Sequence, residues 1–298
     1  MSTDPASLAA RLTVDRDISV ARAAVVRRMV EYGPGMVSWE QDFDFYMAMI
    51  EDLPASFVID LTAAQHAPLE SHPLLLSIRV PMQLRREDGL RDARELDALG
   101  ALEDHFVTTL EQKVDAIYIG RVVHDGTTTM FLYVPVAHRA ALEDLPSVTG
   151  APAEPYLPKW AVADDPAWDH YLGFMAPDEY AMQTIWNRRL IAIFEEKGDA
   201  LHVEREVDHM VYFPTRAQAE EAGTALRDAG FKTDELEPPA KAEGSDDERG
   251  WGLQFHRDDA LSDGRPDDFV AEIYAIIQPF DGDYDGWGAT HVKGTADA

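Results

Sequence analysis

Between residues 93 and 114, ARELDALGALEDHFVTTLEQKV, apolar residues return every three or four positions, at Leu96, Leu99, Leu102, Phe106 and Leu110. That period predicts a helix with one apolar face. A second helix is predicted over 177–199, where Pro177 stands near the start, Ile185, Leu190, Ile193 and Phe194 supply apolar residues, and Gly198 follows as a cap. Strand patterns flank the first helix. PASFVIDLT (54–62) has strand composition, and LLLSIRVPMQL (74–84) alternates apolar and polar residues in its second half. Two further strands are expected around the Asp125-Gly126 turn of AIYIGRVVHDGTTTMFLYVPV. Upstream, Val20, Ala23, Ala24 and Val30 give a partial stripe, so 6–31 is expected to be helical, stopped by YGPG at 32–35.

From residue 204 the rhythm changes. EREVDHMVYFP (204–214) predicts a strand, with Val207, Met210 or Val211, and Phe213 as core positions. A helix over 215–231 follows, capped by Thr215 and ended by Gly230. FKTDELEP predicts a strand, 238–250 a polar hairpin loop, and 251–259 another strand. Residues 266–280 read as a helix with Phe269, Ile273, Ile276 and Ile277 on one side, and 284–292 as a last strand. The order strand, helix, strand, strand, helix, strand is the split βαβ, ferredoxin-like order. The expected fold class is therefore α+β in two domains. A helical arm at 1–35 precedes an antiparallel sheet with a long helix at 36–150. The proline-rich PAEPYLPKW opens a linker at 151–176, and the ferredoxin-like sandwich occupies 177–293.

Composition narrows the function. The 298 residues are 46% hydrophobic, as in a folded protein, and contain no cysteine, which removes disulfides, thiolate chemistry and thiolate metal sites. No apolar run approaches the ~18 residues that span a bilayer. The N-terminus lacks a basic start and an apolar stretch, so no signal peptide and a cytoplasmic location are expected. The net charge of −29 repels nucleic acid and attracts a basic partner, although acidity also serves solubility alone. Only 1–31 escapes the acidity, with five arginines against four acidic residues.

One stretch holds candidate chemistry. In FDGDYDGWGAT (280–290), Asp281, Asp283, Asp285 and Gly286 match the start of a calcium loop. The closing position, which needs a bidentate Glu, is Val292. The paired carboxylates also suit acid–base work, and the glycines and aspartates suit a plain turn. The ten histidines show no metal-binding spacing, but His209 and His256 fall on strands that the split βαβ order makes neighbours. No GxSxG, Walker A or GxGxxG occurs.

VDHMVYF (207–213), a helix ending in AGF (229–231) and YDGWGA (284–289) together resemble the regulator of ribonuclease E activity B family, over about 185–292. Upstream, QDFDFYMAMIEDLPASFVIDL (41–61), REDGL (86–90) and the hairpin at 119–134 resemble a domain of unknown function, number six-nine-five, over about 37–150. The resemblance implies a bacterial, non-catalytic acidic inhibitor that binds ribonuclease E through a basic segment, with no direct RNA contact, no membrane, no cofactor and no metal. It points to Asp208, His209, Tyr212, Asp283, Asp285 and Trp287 as partner-facing or fold-fixing residues. The alternative is a metal- or small-molecule-binding protein, an uncharacterised hydrolase included, that uses the acidic loop at 281–285. A third reading is assembly, with the N-terminal helix exchanged between subunits.

Overall fold

The computed structural model describes residues 27–29, 39–150, 155–241 and 248–293. Its described residues fall into two compact units that divide between Ile185 and Trp186.

The first unit is built on a seven-stranded antiparallel sheet. Its strands are β1 (Arg27–Met29), β2 (Glu40–Ile50), β3 (Leu53–Asp60), β4 (Leu74–Pro81), β5 (Ile117–His124), β6 (Thr127–Val134) and β7 (Lys159–Asp164). They lie in the order β1-β2-β3-β5-β6-β4-β7. The β5–β6 turn has Asp125 and Gly126 at φ 42 and 70, the positive angles that a two-residue hairpin of matching twist requires. Helix α1 (Leu96–Val114) lies between β4 and β5 in sequence and buries Leu99, Phe106 and Leu110, as the three-four period predicts.

Both faces of this sheet are buried. One carries Leu74, Leu76 and Ile78 of β4 with Met130, Leu132 and Val134 of β6, against α1. The other carries Leu75, Phe57, Ile117, Ile119 and Tyr133. Continuous apolar runs such as LLL and MFLYV are what strands buried on both sides need.

Three expectations need correction here. Residues 27–29, read as the end of a helix, pair with β2 as a strand, and the rest of the 6–31 reading lies outside the described residues. EQDFDFYMAMI, which carried no strand expectation, is the eleven-residue β2. Residues 155–176, read as linker, belong to this unit: β7 pairs along β4, and Trp168, Tyr171 and Met175 are buried on the second face. Trp168 stacks on Tyr133 at 3.8 Å, and its indole N–H donates to the carbonyl of His72. Without this segment the second apolar face would stand open to water.

Helix α2 (Glu179–Glu196) carries the boundary between the units. The second unit then follows the predicted element order. Its strands are β8 (Arg205–Phe213), β9 (Lys232–Thr233), β10 (Ala240–Lys241), β11 (Glu248–Arg249), β12 (Trp251–Asp259) and β13 (Asp283–Ala289). Its helices are α3 (Arg216–Asp228) and α4 (Arg265–Ile277). The main sheet is antiparallel in the order β13-β8-β12-β9, and β10 pairs only with β11. Thr215 caps α3, as expected. FKTDELEP contributes only two residues of regular strand, although Asp234 and Glu237 continue to bond to β12.

Candidate partner-binding face

Strand β8 alternates strictly. Arg205, Val207, His209, Val211 and Phe213 are buried, while Glu206, Asp208, Met210 and Tyr212 are exposed or half-buried. Residues directly opposite each other in antiparallel strands share a face, so the register assigns every neighbour. On β12, Asp258, His256, Gln254 and Gly252 stand opposite Glu206, Asp208, Met210 and Tyr212. These residues form the second, open face of the sheet. The Nε2 of His256 lies 3.6 Å from the Glu206 carboxylate.

The two histidines thus sit on opposite faces and form no pair. His209 lies among Phe231, Phe255 and Phe269, stacked on Phe255 at 5.0 Å. Its Nδ1 is 2.8 Å from the Tyr284 hydroxyl, and its Nε2 is buried without a hydrogen-bond partner. Burial pushes its pKa down to about 3, so the ring is neutral at ordinary pH. His209 is buried among these rings, on the face away from Asp208 and Tyr212.

Strand β13 is where the short motif resolves. Asp283 stands opposite Tyr212 on the open face, and Tyr284 stands opposite Val211 on the core face. A bulge then inserts one extra residue between Tyr284 and Gly286. Gly286 adopts φ 123, a conformation that favours glycine. Without the bulge Asp283, Asp285 and Trp287 would share a face, because strand side chains alternate with period two. With it, Trp287 lies opposite His209, on the core face. Its indole N–H donates to Asn187 Oδ1 at 2.7 Å, and its ring meets Phe269 edge-on at 5.4 Å. The Asn187 amide in turn donates to Asp267, whose pKa burial raises. Trp287, half-buried, therefore packs on the core side, while Gly286 and Gly288 face outward, opposite Met210 and Asp208. A Cβ at either glycine would meet nothing within 4 Å, so the space there is free.

The three aspartates of the motif do not converge. Asp281 accepts from the Gln218 side chain at 2.9 Å, and Asp285 pairs with Arg249 at 3.0 Å. Among the described residues no group of three or more His, Asp or Glu side chains could hold a metal ion. Instead the open face holds a guanidinium. Arg249 stands over the Tyr212 ring at 4.8 Å and donates to both its hydroxyl and Asp285. Arg249 carried no expectation from the sequence, since it lies in a polar loop. Its register opposite Ala240 brings it there, and that register is visible only once β10 and β11 are paired.

Of the six candidate residues, Asp208, Tyr212, Asp283 and Asp285 thus share the exposed side of the sheet with Arg249, and His209 and Trp287 lie beneath it. No helix of the described residues is long and apolar enough to cross a membrane. No curated protein matches the chain. A crystal structure of an unknown protein from Galdieria sulphuraria aligns over 74% of this chain and 98% of that one at 13% identity, with a TM-score of 0.21. Residues 41–176 match the family of unknown function DUF695 and, after them, residues 184–289 match the family regulator of ribonuclease activity B.

Proposed function

We propose that the chain is a non-enzymatic acidic regulator that binds a ribonuclease E-type endonuclease through a basic segment of that enzyme and slows RNA decay. The observation that carries this reading is the match of residues 184–289 to the ribonuclease-regulator family. Two features support it. The net charge of −29 favours encounter with a basic protein and disfavours RNA. The open face of the second sheet exposes Glu206, Asp258, Asp283 and Asp285 while its aromatic residues lie half-buried or inside. On this reading the chain works in the cytoplasm and the first unit adds a function of its own. The alternative built on the acidic loop has no converging carboxylates to support it.

The test is direct. The purified full chain is titrated into a ribonuclease E-type enzyme, and both association and RNA cleavage are followed at low and high salt. Association that weakens with salt, together with slower cleavage and no cleavage by the chain alone, is expected. No association at low salt removes the proposal.

A further inference from the structure

Strand β13 ends the sheet, and among the described residues no strand pairs with the outer side of 283–289, while just beyond it Val292 and Lys293 bond to Ala200 and Asp199. The opposite edge differs. There β9 is two residues long, and the segment after it covers β12 through Asp234 and Glu237. An exposed strand edge offers a row of backbone donors and acceptors that another chain can extend. We propose that β13 takes an arginine- or lysine-rich extended segment of a partner protein as a fifth strand. The proposal deepens the reading as a regulator, and it rests on that reading for the partner's origin.

Charge selects the occupant. The edge carries Asp283 and Asp285, both exposed, and neither lysine nor proline occurs in DYDGWGA. A second copy of this chain would bring its own aspartates and a further net charge of −29, so self-pairing is opposed by like-charge repulsion. A basic strand meets the opposite sign. Geometry agrees with this choice. Neighbouring strands lie about 4.8 Å apart, so a side chain two strands from β8 must cross about 10 Å. Gly286 and Gly288 clear that path, since nothing fills the space above them. An arginine of the added strand opposite Gly288 can therefore extend across β13 toward Asp208, which stands directly behind that glycine. Arg249 already shows how this face holds a guanidinium, on the Tyr212 ring and the Asp285 carboxylate.

The test uses the full chain and two synthetic peptides. One alternates arginine and threonine. The other replaces each threonine with proline, which keeps the charge and removes backbone N–H donors. Amide resonances are followed during titration at low salt. Binding of the first peptide with shifts centred on 283–289 is expected, together with binding about tenfold weaker for the proline peptide and for the Asp283→Lys variant. Shifts centred elsewhere, or equal affinity for both peptides, overturn strand addition. Asp283→Asn serves as a second variant, and matching urea midpoints verify that both variants fold. The endonuclease assay separates the two claims. Capture by wild type that Asp283→Lys leaves undiminished overturns the edge and leaves the regulator reading in place. Peptide binding at β13 without capture of the endonuclease supports the edge and removes that reading.

Discussion

Among the described residues the first unit seals its sheet on both faces, whereas the second unit seals one and leaves the other partly exposed. The difference is written in the burial of the central strands. In β6 the run MFLYV is buried at every residue, because odd and even positions both meet apolar layers. In β8 every second residue is buried, and the others carry charge, a thioether and a phenol. Both strands are central and antiparallel, so position in the sheet does not explain the contrast. What does is the supply of covering elements. The first sheet has α1 on one side and the 168–185 segment on the other, while α3 and α4 line only the core face of the second. Among the described residues that face stays polar across Glu206, Asp208, Gln254 and Asp258, as the proposed binding of a basic segment requires.

The sharpest way to break the sealed sheet is at its second lid. Trp168 is fully buried between Tyr133 and Tyr171. Trp168→Ala is expected to cost about 3–5 kcal/mol, the usual range for removing a buried aromatic, read as a fall in the urea midpoint. An unchanged midpoint would restore the linker reading of 151–176. The same unit buries charge. Glu103 accepts from Tyr118, Arg121 and Arg91. Burial alone would push its pKa up, but the Arg121 and Arg91 guanidinium groups outweigh that and hold it below the usual carboxylate range. Glu103→Ala leaves two cations without their counter-charge and is expected to cost about 3–5 kcal/mol, measured in the same way.

How much of this was legible in the sequence follows from the same contrast. Elements with one apolar face announce themselves through period, as α1 and β8 did. Strand β2 did not, because EQDFDFYMAMI mixes acidic and aromatic residues and only Gln41, Asp44 and Tyr46 are buried within it. Strand β7 was masked by the prolines before it and by its exposed Ala161 and Ala163. In the candidate site, Asp208 and Tyr212 came from the family resemblance, and the alternation of β8 places both away from the core. Trp287 did not, because one bulge reversed the parity of β13, and the chain gives no period that marks a single inserted residue. Arg249 was hidden for another reason, since its position depends on a pairing across a polar loop.

The core side of the second sheet carries a pH signature. His209 is held neutral with a pKa near 3, against about 6.5 when exposed. The unfolded chain therefore binds a proton that the folded chain refuses as the pH falls. Stability from this residue is complete above about pH 6.5 and declines between there and about pH 3, by an amount on the order of a few kcal/mol. His209→Phe is expected to flatten that part of the pH dependence of the urea midpoint. A variant that shows the same slope as wild type would mean that other groups account for the acid sensitivity.

The smallest expected effect on stability lies on the open face. Arg249 and Asp285 are both well exposed, with side-chain accessibilities of 42% and 43%, so solvent screens their attraction. The hydrogen bonds to Tyr212 and Asp285 raise the Arg249 pKa further, so the guanidinium stays charged at any pH where the fold exists. Arg249→Ala should leave the urea midpoint in place, because no core contact is lost. Its effect should appear in binding instead. Removing the guanidinium frees the Tyr212 ring and the Asp285 carboxylate for a basic partner and makes the face more negative by one charge. Affinity for an arginine-rich peptide should therefore rise, and its salt dependence should steepen. Asp285→Asn removes a carboxylate from the same place and should lower affinity without moving the midpoint. A drop in the midpoint for either variant would assign the cluster to the fold, and the difference between the sealed and the open sheet would then be one of degree.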